Sequence, residues 1–153
     1  LENLLFDTTD LKSVGYRHVK TEHFALQPVH YMPKVLEAGI LYVSEEFHTS
    51  AHLCACGCGQ KVRTPLGPTE WSIKADSRGP TLRPSVGNWQ LPCKSHYLIT
   101  NGSVRWSNQW TDKQIQAGRK REHAMRTAYY EARKPRASWW RLLLDFVRDR
   151  LGR

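Results

Sequence analysis

No apolar run in this chain approaches the ~18–20 residues needed to cross a bilayer. That excludes a membrane-spanning helix and leaves the hydrophobic residues, 40% of the sequence, for a packed interior. The opening LENLLFDTTDLKSVG has neither the basic start nor the small-residue cleavage site of a secretory signal, so a reducing cytoplasm is the expected compartment. There is no internal repeat and no low-complexity tract, which excludes solenoids and fibrous arrays. Acidic residues are scarce, 14 against 23 Lys and Arg. Cysteine is scarcer still, at four, yet three of the four fall within five positions.

The excess of positive charge is local. From Asp112 to Arg153 there are 12 basic and 5 acidic residues, whereas the 111 residues before them carry 11 and 9. The basic character therefore belongs to a C-terminal extension, either a solvated helix face or a contact for an acidic surface or nucleic acid. At 153 residues the chain suits one core with attachments. Residues 1–15 show no period and read as a leader, 16–110 as the core, and 111–153 as a helical extension.

Within the core, Tyr16 to Gln27 reads as one or two strands broken by Pro28 and Pro33. Val35 to Gly39 reads as a helical turn, and ILYVSEEF after it as a strand leading to the cysteines. Residues 63–108 hold short apolar pieces separated by Gly, Pro and Asn, the texture of a β-rich unit. Asn101-Gly102 predicts a type I′ hairpin turn between His96 and Ser107, because both residues accept positive φ. A helix is expected over Asp112–Arg133, interrupted by Pro135, and a second one capped by Ser138 and ended by Gly152. The fold class is α+β: a small zinc-stapled β-rich core with C-terminal helices.

Tetrahedral zinc sets neighbouring sulfurs roughly 3.8 Å apart, whereas alternate residues of a strand lie about 6.6–6.8 Å apart. A flat strand cannot deliver Cys54, Cys56 and Cys58 to one ion. The backbone has to fold back, and Gly57 and Gly59 permit it. Cys93, from a distant segment, completes a four-thiolate set, which is closed and hence structural. A redox dithiol and plain burial are the alternatives, and His52 could replace one thiolate.

The string His52-Leu-Cys-Ala-Cys-Gly-Cys-Gly, then TPLGPTEW from Thr64, LRPSVGNW from Leu82 and PCKSHY from Pro92, resembles the DUF6527 family over roughly Gly39 to Trp106. The resemblance implies a zinc-binding peptidase that processes or removes a ubiquitin-like protein by serine chemistry, in bacterial operons that also encode E1-like and E2-like enzymes. A serine peptidase needs a hydroxyl, a base, an orienting group and oxyanion donors. The preferred set is Ser95 as nucleophile, His52 as base and Glu46 as the group orienting it, with Glu70 in reserve. Ser85 with His96 is the competing pair, Gly87 and Asn88 offering amide donors beside it. Each of these residues has a structural reading too: turn hydroxyls, an exposed strand carboxylate, and hydrogen-bonded or metal-bound histidines. The alternative function is a noncatalytic zinc-stabilised adaptor for the ubiquitin-like protein or its enzymes. Nucleic-acid binding rests on charge alone and is not expected, nor is a membrane partner.

Overall fold

The computed structural model describes residues 19–134, and 148. The leader lies outside the described residues, as does the second helix from Ser138 apart from Arg148, which is helical. The chain divides after Trp110 into two compact units. The first holds eight strands, β1 (Ala25–Pro28), β2 (Ile40–Ser44), β3 (Thr49–Leu53), β4 (Lys61–Pro65), β5 (Ser72–Asp76), β6 (Gly79–Gly87), β7 (His96–Thr100) and β8 (Ser103–Trp106). The second holds α1 (Asp112–Glu131). This is the expected α+β class.

The strands form two four-stranded sheets, in the orders β1-β2-β3-β4 and β5-β6-β7-β8. All pairings are antiparallel except the parallel β1–β2 pair. Alternation along each strand sends one set of side chains inward. Leu41, Val43 and Val62 from the first sheet meet Leu82, Val86, Tyr97 and Ile99 from the second in one buried cluster that also takes in Phe24, Cys54 and Ala55. Loss of a fully buried side chain here, as in Ile99→Ala, is expected to cost about 2–5 kcal/mol in a denaturant melt.

Asn101 (φ 50°) and Gly102 (φ 77°) make the expected hairpin turn between β7 and β8. Thr111 caps α1 by a reciprocal pair of bonds with Gln114, so this helix begins where the sequence placed it. Residues 35–39 differ from expectation: no helical turn forms, and the chain turns at Ala38-Gly39 (φ 78°) straight into β2. Five residues behind a proline cannot offset the cost of helix nucleation. Leu36 instead packs with Tyr42 and Ala51 in a second, smaller cluster. No described helix is long and apolar enough to cross a membrane.

Candidate functional site

The loop after β3 folds back as the cysteine chemistry requires. Gly57 N–H donates to the Cys54 carbonyl at 3.0 Å and Cys54 N–H to the Gln60 carbonyl at 2.8 Å. Gly57 (φ 83°) and Gly59 (φ 72°) occupy the left-handed region that the turn demands. A second loop, braced by Asn88 N–H to the Ser95 carbonyl at 2.9 Å, brings Cys93 alongside. Cys54 Sγ lies 3.4 Å from Cys56 Sγ and 3.9 Å from Cys93 Sγ, and all four sulfurs lie within 4.8 Å of one another. The spacing fits a tetrahedral ion, so the four cysteines could hold a metal. Burial raises the Cys56 and Cys58 thiols. Burial also works to raise Cys93, but bonds from the Ser95 backbone and hydroxyl and from the Cys56 and Cys58 thiols outweigh it, and Cys93 is drawn down to about 7.

Ser95 belongs to this cluster. Its Oγ accepts from Asn88 Nδ2 at 2.8 Å and lies 3.1 Å from Cys54 Sγ and 3.6 Å from Cys93 Sγ. Asn88 Nδ2 also reaches Cys54 Sγ at 3.4 Å. With Cys54 as a metal-bound thiolate, the Ser95 hydroxyl is a donor to sulfur, the kind of contact that holds a ligand in place. Ser95→Ala is therefore expected to weaken metal affinity by about 10–100-fold in competition with a chromophoric chelator.

His52 faces the interior between the sheets. Its ring is fully buried, edge-on to Phe24 at a centroid distance of 5.0 Å, and Nε2 bonds the Tyr97 hydroxyl at 2.8 Å. Burial lowers its pKa to about 4, so the imidazole is neutral, and Nδ1 has no hydrogen-bond partner among the described residues. Burial raises the Tyr97 phenol. Tyr97→Phe would leave both ring nitrogens buried without partners and is expected to lower stability by about 1–3 kcal/mol in chemical denaturation. Glu46 lies in the β2–β3 turn, exposed, with its carboxylate 2.7 Å from His30 Nδ1. The bonds of Ser95, His52 and Glu46 thus run to Cys54, Tyr97 and His30 respectively. The expected Ser95–His52–Glu46 relay is not formed, because β3 directs His52 into the core while the cysteine loop claims the Ser95 hydroxyl.

The other pair does meet. Ser85 Oγ is 2.9 Å from His96 Nε2, and His96 Nδ1 is 2.8 Å from the Asn108 carbonyl oxygen. A carbonyl can only accept, so Nδ1 carries a proton, and in the neutral ring Nε2 keeps its lone pair for the serine hydroxyl. This is the tautomer a general base requires. The strands supply the geometry. Tyr97 and Ile99 of β7 point into the core, so His96 and Leu98 face the opposite side. Between Leu82 and Val86 the β6–β7 register shifts, a bulge that spans Arg83, the cis-linked Pro84 and Ser85. Such irregularities re-aim side chains beside active sites.

The His96 ring is nearly buried, with Trp89 and Trp110 at centroid distances of 5.0 and 5.4 Å, and these two indoles stack on each other at 5.7 Å. Gly87 makes room for the cage, since a Cβ there would lie 2.5 Å from Trp89 Nε1. Ser85 and His96 open onto a cleft of about 610 Å³ whose walls include Glu70, Ser72 and Arg83. Glu70 thus lies in the cleft, but the Nδ1 position of His96 is held by Asn108. The Asn88 amide expected as an oxyanion donor instead donates to Ser95.

The family described as the bacterial ubiquitination-like system serine protease (BubE) matches residues 28–107, more than half of the chain. The chain belongs to the BubE family. The BubE match spans the four cysteines and both serine–histidine alternatives, and it agrees with the serine chemistry and the ubiquitination-like setting implied by the DUF6527 resemblance. By family, the chain is a serine protease and hence a hydrolase. Comparison with the curated proteins and with the solved structures gives no match. Two parts of this candidate site are not legible in the sequence, and both lie beyond the BubE match: the Asn108 carbonyl, which no side chain announces, and Trp110, which adjoins the helical extension.

Proposed function

We propose that this protein is a serine peptidase or isopeptidase that releases or processes a ubiquitin-like protein, with Ser85 as nucleophile and His96 as general base. The observation that carries this reading is the 2.9 Å Ser85–His96 bond, with the histidine tautomer set by Asn108. Ser85 Oγ attacks the scissile carbonyl carbon as its proton moves to His96 Nε2. The imidazolium so formed keeps its Nδ1–H on the Asn108 carbonyl, which fixes ring orientation without a carboxylate. Collapse of the tetrahedral intermediate breaks the C–N bond, and His96 passes its proton to the departing amine. Water, deprotonated by the same histidine, then hydrolyses the acyl-serine ester. Arg83, the one formally cationic residue among the described residues of the cleft lining, supplies positive potential for the oxyanion.

Zinc is the metal that a four-cysteine set of this spacing suits best, and Cys54, Cys56, Cys58 and Cys93 would hold it. Its contribution there is to cross-link the two loops. The four thiols are not joined in disulfides, which suits a reducing cytoplasm. The partners on this reading are a ubiquitin-like protein and, through the same system, its E1-like and E2-like enzymes.

A fusion of the modifier to a reporter, incubated with the wild-type protein, tests the reading against that of a noncatalytic adaptor. Cleavage at the end of the modifier, lost in His96→Gln, is the expected result. Stable binding of the fusion with no turnover would establish the adaptor instead.

A further inference from the structure

β5 is the edge strand of the second sheet. Among the described residues it pairs with β6 alone, and four of its five residues are exposed. Such an edge presents backbone N–H and C=O groups ready to pair with another extended chain. Its register sets Ser72 opposite Arg83 and Ile73 opposite Leu82. Ile73 and Ala75 therefore lie on the same side as Leu82, which is in the core, and Ser72 and Lys74 on the side where Ser85 and His96 meet. Each side has its own cleft. The outer one contains Ser85 and His96. The inner one, about 580 Å³, is walled by Leu26, Val43, Leu66, Trp71, Ile73 and Ala75, with Glu45 the one formally charged residue among the described residues of its lining. Ser72 lines both.

We propose that the open edge of β5 is the substrate-recognition surface, taking an extended peptide segment of the modifier as an added strand. Successive side chains of an added strand point to opposite faces, so a single bound segment addresses both clefts. Where it runs past the Ser72 end of β5 into the outer cleft it brings a peptide bond to Ser85, and on the opposite face of the sheet it seats a bulky apolar side chain in the inner cleft. Glu45 selects a basic residue close to that anchor. The proposal rests on the Ser85–His96 reading for the position of the bond that is cut, and on β5 and the inner cleft for everything else.

Fluorescence anisotropy on full-length, metal-loaded Ser85→Ala protein tests it without turnover. The probes are short labelled peptides in which Leu, Phe, Ala, Lys or Asp is moved through every position. One position is expected to favour Leu or Phe over Ala by about tenfold or more, the worth of burying most of such a side chain. A neighbouring position is expected to favour Lys over Asp. Ala75→Trp, which fills the inner cleft from an exposed position, should abolish the apolar preference, and Glu45→Lys should invert the charge preference. Absence of peptide binding, preferences unchanged by both substitutions, or sedimentation showing β5 covered by a second copy would overturn the proposal. The same peptides offered to the wild-type protein separate the two readings. Peptides bound through the edge but left uncut would remove the dyad and leave the surface standing. Peptides cut without sequence preference would remove the surface and leave the dyad.

Discussion

Ser85→Ala and His96→Ala are each expected to lower cleavage of the modifier fusion by on the order of 10³-fold or more, and the double variant to fall little further, because the proposed nucleophile and base would act as one unit. Ser95→Ala, assayed with its metal site saturated, stays within about tenfold of wild type. The contrast follows from what each hydroxyl touches. Ser85 faces the ring nitrogen that can accept in the neutral imidazole, since Asn108 holds a proton on the other side of the ring. Ser95 faces Cys54 Sγ and accepts from Asn88, so no base is placed to take its proton. Steady-state kinetics with metal content measured on each preparation separate the two roles. Loss of turnover in metal-saturated Ser95→Ala with full activity in Ser85→Ala would reverse the assignment.

Removing the proposed zinc is expected to have the second large effect. Structural zinc supplies about 10–16 kcal/mol to small peptides that fold around it. Here two sheets share the task with the metal, so a fraction of that is expected, seen as a fall in Tm of about 10 °C or more on treatment with a strong chelator. Turnover should be lost along with it. The coupling is short: His96 follows Ser95 in the chain, the Ser95 hydroxyl hydrogen-bonds Cys54 Sγ, and the Ser95 carbonyl accepts from Asn88 N–H to brace the loop that contains Cys93. If the sulfurs repel or disperse, the loop that leads into β7 loses its anchor on the Cys54 loop, and the position of His96 loosens with it. Readdition of zinc should restore both readouts, and Cys54→Ser should reproduce the loss. A chelated protein with unchanged Tm and turnover would show the four cysteines to be merely buried thiols.

The parts that the sequence made legible are those whose chemistry depends on residue type. Only thiolates at close spacing with permissive glycines make a CACGCG loop, and Cys93 was the sole partner left to complete it. Asn101-Gly102 likewise announces a turn through residues that few others replace so well. The serine–histidine choice depended on something else. Proximity of Ser95 to the cysteine loop was readable and is observed, but its partner there is sulfur. The meeting of Ser85 with His96 depends on a register shift in β6 that moves three residues relative to β7, and no local pattern encodes that shift. Glu46 read as a strand carboxylate because ILYVSEEF is continuous in β-formers up to Ser44, where β2 actually ends. The Asn108 carbonyl is backbone, identical in every residue, and so is silent in any sequence.

The claim on which all of this turns is that Ser85 is the reacting hydroxyl. A fluorophosphonate probe, which esterifies a serine only where a neighbouring base activates it, can be applied to the metal-loaded wild-type protein and the adduct located by peptide mass spectrometry. The account predicts a single adduct on Ser85, absent in His96→Gln; an adduct on Ser95, or labelling of Ser85 that persists without His96, would contradict it.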